Sequence, residues 1–125
     1  MDKIIIREDR KIIEARNAML NHSYFNDVSM THMTIVNANL SDLEIEGAQL
    51  GGAYIHNIGG PPVDHPMYDP NFKHRPVRFE DCDLNSSTFK NCDLTGVSIT
   101  DSNLSGMKIN GIRVEELFEA YNRGE

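Results

Sequence analysis

Residues 23–55 read SYFNDVSMTHMTIVNANLSDLEIEGAQLGGAYI, and every fifth residue is large and apolar: Phe25, Met30, Ile35, Leu40, Ile45, Leu50 and Ile55. Leu20 extends the series backward. Two positions before these centres stand Ala18, Ser23, Val28, Met33, Ala38, Leu43, Ala48 and Ala53, mostly small and never charged. The residues between are largely Asn, Asp, Ser, Thr, Glu and Gly. A period of five is neither the 3.6 of a helix nor the 2 of a strand. It is an internal repeat, and short periods of this kind mark solenoids.

The series resumes at Phe79, Leu84, Phe89, Leu94, Ile99, Leu104 and Ile109, preceded by Val77, Cys82, Ser87, Cys92, Val97, Ser102 and Met107. Segments such as Ala38-Asn39-Leu40-Ser41-Asp42 and Cys92-Asp93-Leu94-Thr95-Gly96 resemble the pentapeptide-repeat family, whose motif is A-(D/N)-L-x-x. The stretch from Gly106 to Leu117 is also similar to the ending of bacterial members of unassigned function. The resemblance implies an all-β solenoid, a right-handed quadrilateral β-helix with four pentapeptides per coil and about four coils here. It implies that centre and minus-two side chains point inward. Leu20 would then lie under Leu40, Phe25 under Ile45, Met30 under Leu50 and Ile35 under Ile55. Such a stub is on the order of 20 Å long, and its open ends need caps.

Read in order, the 125 residues form one domain. Residues 1–17 are the N-terminal cap, either a strand or hairpin from the Ile4-Ile5-Ile6 and Ile12-Ile13 runs, or a helix through Glu8 to Met19. Residues 18–58 are the first repeat block. Residues 59–77 are an insertion holding all five prolines of the chain, hence a loop thrown out of the ladder. Residues 78–112 are the second block. Val114, Leu117, Phe118 and Tyr121 form an i, i+3, i+4, i+7 stripe, a short C-terminal helix over 113–123 with Asn110 or Gly111 marking its start. That helix either caps the last coil or pairs with a second copy.

The net charge of −7 argues against direct nucleic-acid binding, and no apolar run approaches a membrane span. The N-terminus lacks a signal-peptide layout, so a cytoplasmic location is expected. Asn-x-Ser triplets such as Asn39-Leu40-Ser41 fall out of the repeat.

Little chemistry is visible. No nucleophile elbow, phosphate loop or dinucleotide fingerprint is present, so neither catalytic residues nor a cofactor is expected. Gly59-Gly60-Pro61-Pro62 is a turn without a following Lys-Ser/Thr. Cys82 and Cys92 occupy minus-two positions and read as small buried residues. His56, His65 and His74 are nine apart, near Asp64 and Asp69, and are weak metal-ligand candidates because the spacing matches no established motif.

The acids hold the clearest surface pattern. If the insertion is a simple loop, Asp42, Glu80, Asp81 and Asp101 share one wall, and Glu44, Glu46 and Asp83 the next. These seven residues are the candidate interaction surface. Some members of the resembled family are DNA mimics that occupy the DNA saddle of gyrase and dimerise through C-terminal helices; this chain is shorter and its wall is interrupted. The expectation is therefore a non-enzymatic binding or scaffold module with a protein partner, monomeric or a C-terminal-helix homodimer. A gyrase-binding mimic and a loop-borne metal site are the alternatives.

Overall fold

A computed structural model describes residues 2–124. It divides into two compact units, Met1–His56 and Asn57–Glu125.

In the first unit, residues 2–17 hold neither the strand nor the helix expected of a cap. Glu8 has φ +49, which interrupts either element. The charges are spent on neighbours: Lys11 Nζ lies 3.2 Å from Asp9 Oδ2, and Arg16 pairs with Glu14. Ile4 is 88% exposed and Ile12 wholly so, so these side chains do not cover a rung.

From Leu20 onward the five-residue period governs the backbone. The second residue after each of the fifteen centres has positive φ. In the first unit these are His22, Asp27, His32, Asn37, Asp42, Gly47 and Gly52; the second opens with Asn57, which follows Ile55. The later block adds Asp81, Ser86, Asn91, Gly96, Asp101, Gly106 and Gly111. The left-handed region penalises a Cβ, and short polar residues and glycine bear it best. That is why this column is written in Asp, Asn, Gly, His and Ser.

The corners alternate between two kinds, and the centre residue tells them apart. Hydrogen-bonded turns open at Leu or Met centres: Ser23 N donates to Leu20 O at 3.3 Å, and Ser87 N to Leu84 O at 3.1 Å. Leu40, Leu50, Leu94 and Leu104 make the same bond. The i to i+3 bond with positive φ at the third residue marks a type II turn. Open bends follow the Phe and Ile centres, at residues 27, 37, 47 and 57 and again at 81, 91 and 101. The true period of the backbone is therefore ten.

The structure does not show the coils implied by the resemblance. Among the described residues, strand pairing is confined to one hairpin, and the backbone bonds of the repeats run within single turns. Centre side chains expected inside are exposed, from 41% at Leu84 to 64% at Phe89 and Ile55, save Leu104, which is half-buried. A turn needs only residues three apart to meet, whereas a rung needs residues twenty apart, at a larger loop-closure cost.

The second unit ends in the only regular elements among the described residues. β1 (Lys108–Ile109) pairs antiparallel with β2 (Ile112–Arg113), in register Lys108 with Arg113 and Ile109 with Ile112. Asn110 and Gly111 have φ +49 and +82, the two left-handed residues of a type I′ hairpin turn. They were expected to open the helix; they close the hairpin instead, because an Asn-Gly pair between Ile109 and Ile112 fits this turn. α1 (Val114–Arg123) then begins directly after Arg113. Val114 N donates to Met107 O at 2.8 Å, and Val114, 5% exposed, is the one buried hydrophobic side chain among the described residues.

Candidate interaction surface

The seven acids divide by what the backbone asks of them. Asp42, Asp81 and Asp101 occupy left-handed corners, with φ of +63, +54 and +50. Asp83 precedes Leu84 and accepts from Asn85 N at 3.0 Å. Four of the seven are thus first of all turn residues. Glu44, Glu46 and Glu80 flank the centres Ile45 and Phe79 and hold no left-handed corner.

Asp83 belongs to a set of four residues that share one role. Asn39, Asp83, Asp93 and Asn103 each stand one before a Leu centre, and each accepts at 3.0 Å from the N–H two residues on. This is the physical content of the Asp/Asn-Leu pair in the motif: the side chain caps a backbone donor as the type II turn opens. Thr95 Oγ1 also donates to Asp93 Oδ1, at 2.6 Å. The two Thr95 bonds, hydroxyl before amide, hold the Asp93 carboxyl below its ordinary range.

The cysteines correct the expectation of buried apolar filler. Both are exposed free thiols. Cys82 Sγ donates to Glu80 O at 3.2 Å, and Cys92 Sγ to Lys90 O at 3.4 Å. Ser102 Oγ makes the equivalent bond to Thr100 O at 2.8 Å. At these three corners a small side-chain donor spans the left-handed residue, while Ala38 and Ala48 hold the equivalent place in the first block without one.

The histidines are separated by role. His56 belongs to the first unit and stacks on Tyr54, ring centroids 3.9 Å apart at 12°. His65 and His74 belong to the second. His65 Nδ1 accepts from Met67 N at 3.0 Å, which commits that lone pair to the loop backbone. Among the described residues, no three of His, Cys, Asp and Glu gather as a metal would require.

The insertion is a chain of short turns. His65 N donates to Pro62 O, Tyr68 N to His65 O and Phe72 N to Asp69 O, at 2.9, 3.0 and 3.0 Å. Asp69 Oδ1 accepts from Asn71 N at 2.9 Å. The Phe72 ring lies on Gly60, where a Cβ would stand 2.5 Å from the ring.

The C-terminal helix is tied to the last repeat by Glu115, whose Oε1 accepts from Gly106 N at 2.7 Å. That bond, then its own N–H, lowers the Glu115 carboxyl below the ordinary range. Arg113 donates through Nε and Nη2 to Glu116 Oε1 at 3.0 and 2.9 Å, which raises the guanidinium above its usual value. With Val114 buried, the same helix leaves Leu117 39%, Phe118 55% and Tyr121 81% exposed, an apolar surface beside Asn122.

Residues 77–113 match the family model for pentapeptide repeats, in eight copies. These residues are pentapeptide repeats. The match covers the second repeat block, and the first block repeats its left-handed corners with the same spacing. No curated protein and no solved structure matches the chain. Among the described residues, no helix is long and apolar enough to cross a membrane.

Proposed function

We propose that the chain is a non-enzymatic binding or scaffold module whose pentapeptides wind into a right-handed quadrilateral β-helix and present its outer wall to a protein partner. One observation carries this reading: the same left-handed corner follows all fifteen centres, in both units. Two corner kinds alternating at a fixed spacing turn the chain by the same amount every ten residues, which is how a solenoid is generated. The acids not needed for corners, Glu44, Glu46 and Glu80, are the wall residues available to a basic partner. The exposed face of Leu117, Phe118 and Tyr121 is the surface offered to a second copy of the chain.

The test has two arms. Small-angle scattering of the intact protein is expected to give a rod-like stub on the order of 20 Å for four stacked coils; extended-chain dimensions would end the solenoid reading. Partners captured from the native host are expected to be lost on replacing Glu44, Glu46 and Glu80 together by Gln. Retention of every partner would remove the wall from the proposal.

A further inference from the structure

The chain has twelve asparagines, and Asn110 alone is followed by glycine. Its position is unlike the others. Asn110 and Gly111 are the entire loop of the β1–β2 hairpin, both exposed and both at positive φ. A Cβ built on Gly111 would meet nothing within 4 Å, so the turn stands open to water. The hairpin it closes delivers Val114 N to Met107 O and seats the buried Val114 side chain.

We propose that Asn110 is a site of spontaneous deamidation, and that the isoaspartate formed there unlatches the C-terminal helix from the last repeat. The backbone nitrogen of Gly111, losing its proton, attacks Cγ of Asn110. The side-chain nitrogen leaves as ammonia, and a five-membered succinimide closes. Water then opens either carbonyl of that ring. Opening at one gives aspartate in the ordinary chain; opening at the other gives isoaspartate, whose main chain runs through Cβ. The sum is one water consumed and one ammonia released, with no oxidant or reductant. Glycine favours the attack because no side chain on residue 111 crowds the nucleophilic nitrogen.

The two products differ in consequence. Aspartate keeps the backbone and tolerates a left-handed residue, so it leaves the hairpin standing with one more negative charge. Isoaspartate adds one main-chain atom to a loop of two residues. The type I′ geometry is specific to its length, so the register Ile109 with Ile112 is lost. Val114 then leaves Met107, and Glu115 leaves Gly106. The apolar helix face is released with them.

The experiment ages the full-length protein at mildly alkaline pH and follows it by peptide mass mapping that separates aspartate from isoaspartate. Asn110 is expected to gain about one mass unit before any of the other eleven asparagines, with isoaspartate among the products. Aged protein is expected to lose helical circular dichroism and to gain proteolytic cleavage after Arg113 or Arg123. The Asn110→Asp variant, which carries the charge without the extra atom, is expected to keep its helix when fresh and to gain no mass on ageing; it reaches the same succinimide only by the slower loss of water. Asn110 converting no faster than the other asparagines would overturn the site. Equal helix loss in Asn110→Asp and in the aged protein, or none in the aged protein, would overturn the unlatching.

Discussion

Gly60→Ala is expected to open the inserted loop, and the structure sets the scale of the effect. The three nearest atoms to a Cβ at this position are Phe72 Cδ1, Cγ and Cε1, at 2.5, 2.8 and 3.0 Å. Cγ is anchored to the main chain through one carbon, so the ring cannot slip aside without moving the Asp69–Phe72 turn. Phe72 is 47% exposed, so about half its surface is covered. An aromatic side chain buries roughly 200 Å² in full, and half of that at about 25 cal/mol per Å² is worth about 2.5 kcal/mol. This is an upper bound, because the open loop already shields some apolar area. The residue is outside the left-handed region, so alanine carries no backbone strain there. Its smaller entropy in the open state favours the closed loop by roughly 0.4–1 kcal/mol. Hydrogen exchange across residues 60–72 is the assay, run as a double-mutant cycle with Phe72→Ala. Gly60→Ala should accelerate exchange in the wild-type background and leave it unchanged or slower once Phe72 is alanine. Equal acceleration in both backgrounds would refute the ring-on-glycine contact.

Other expectations follow from the corners and the helix. Asn39→Ala removes the acceptor of Ser41 N and Oγ and should cost about 0.5–1.5 kcal/mol in urea unfolding, while Asn39→Asp should be nearly silent. The Glu115 carboxyl is lowered in the folded chain, so its contribution is present above the unfolded value and is lost as pH falls through the lowered one. Helicity of α1 should therefore persist through mild acid and decline below the ordinary carboxylate range, and Glu115→Gln should flatten that profile in circular dichroism. Phe118→Asp should abolish any concentration-dependent dimer in light scattering without reducing helicity, since Phe118 is 55% exposed. Gyrase supercoiling should proceed unchanged in the presence of the protein; protection of gyrase would move the reading to a DNA mimic.

How much was legible follows from which residues each feature needs. The five-residue period was readable because it is a property of composition along the line: Leu, Met, Phe and Ile every fifth place. The left-handed column was equally readable, since Asp, Asn, Gly, His and Ser fill it without exception, though the acids among them invite a surface reading first. The alternation of Leu or Met corners with Phe or Ile corners lay in the same letters, as did the Asp or Asn before Leu. The Asn110-Gly111 hairpin was a two-residue signal overshadowed by the stronger helical stripe that follows it.

The sequence by itself determined the places where the chain turns. Each corner is decided within four residues, by a side chain that tolerates positive φ and a donor that reaches the nearest carbonyl. Only the tertiary structure decided what those corners hold. It laid Phe72 on Gly60 and carried the Glu115 carboxylate back nine residues to Gly106. Where a side chain meets a partner distant along the chain, the outcome depends on how several turns add up in space, and no single window of sequence contains that sum.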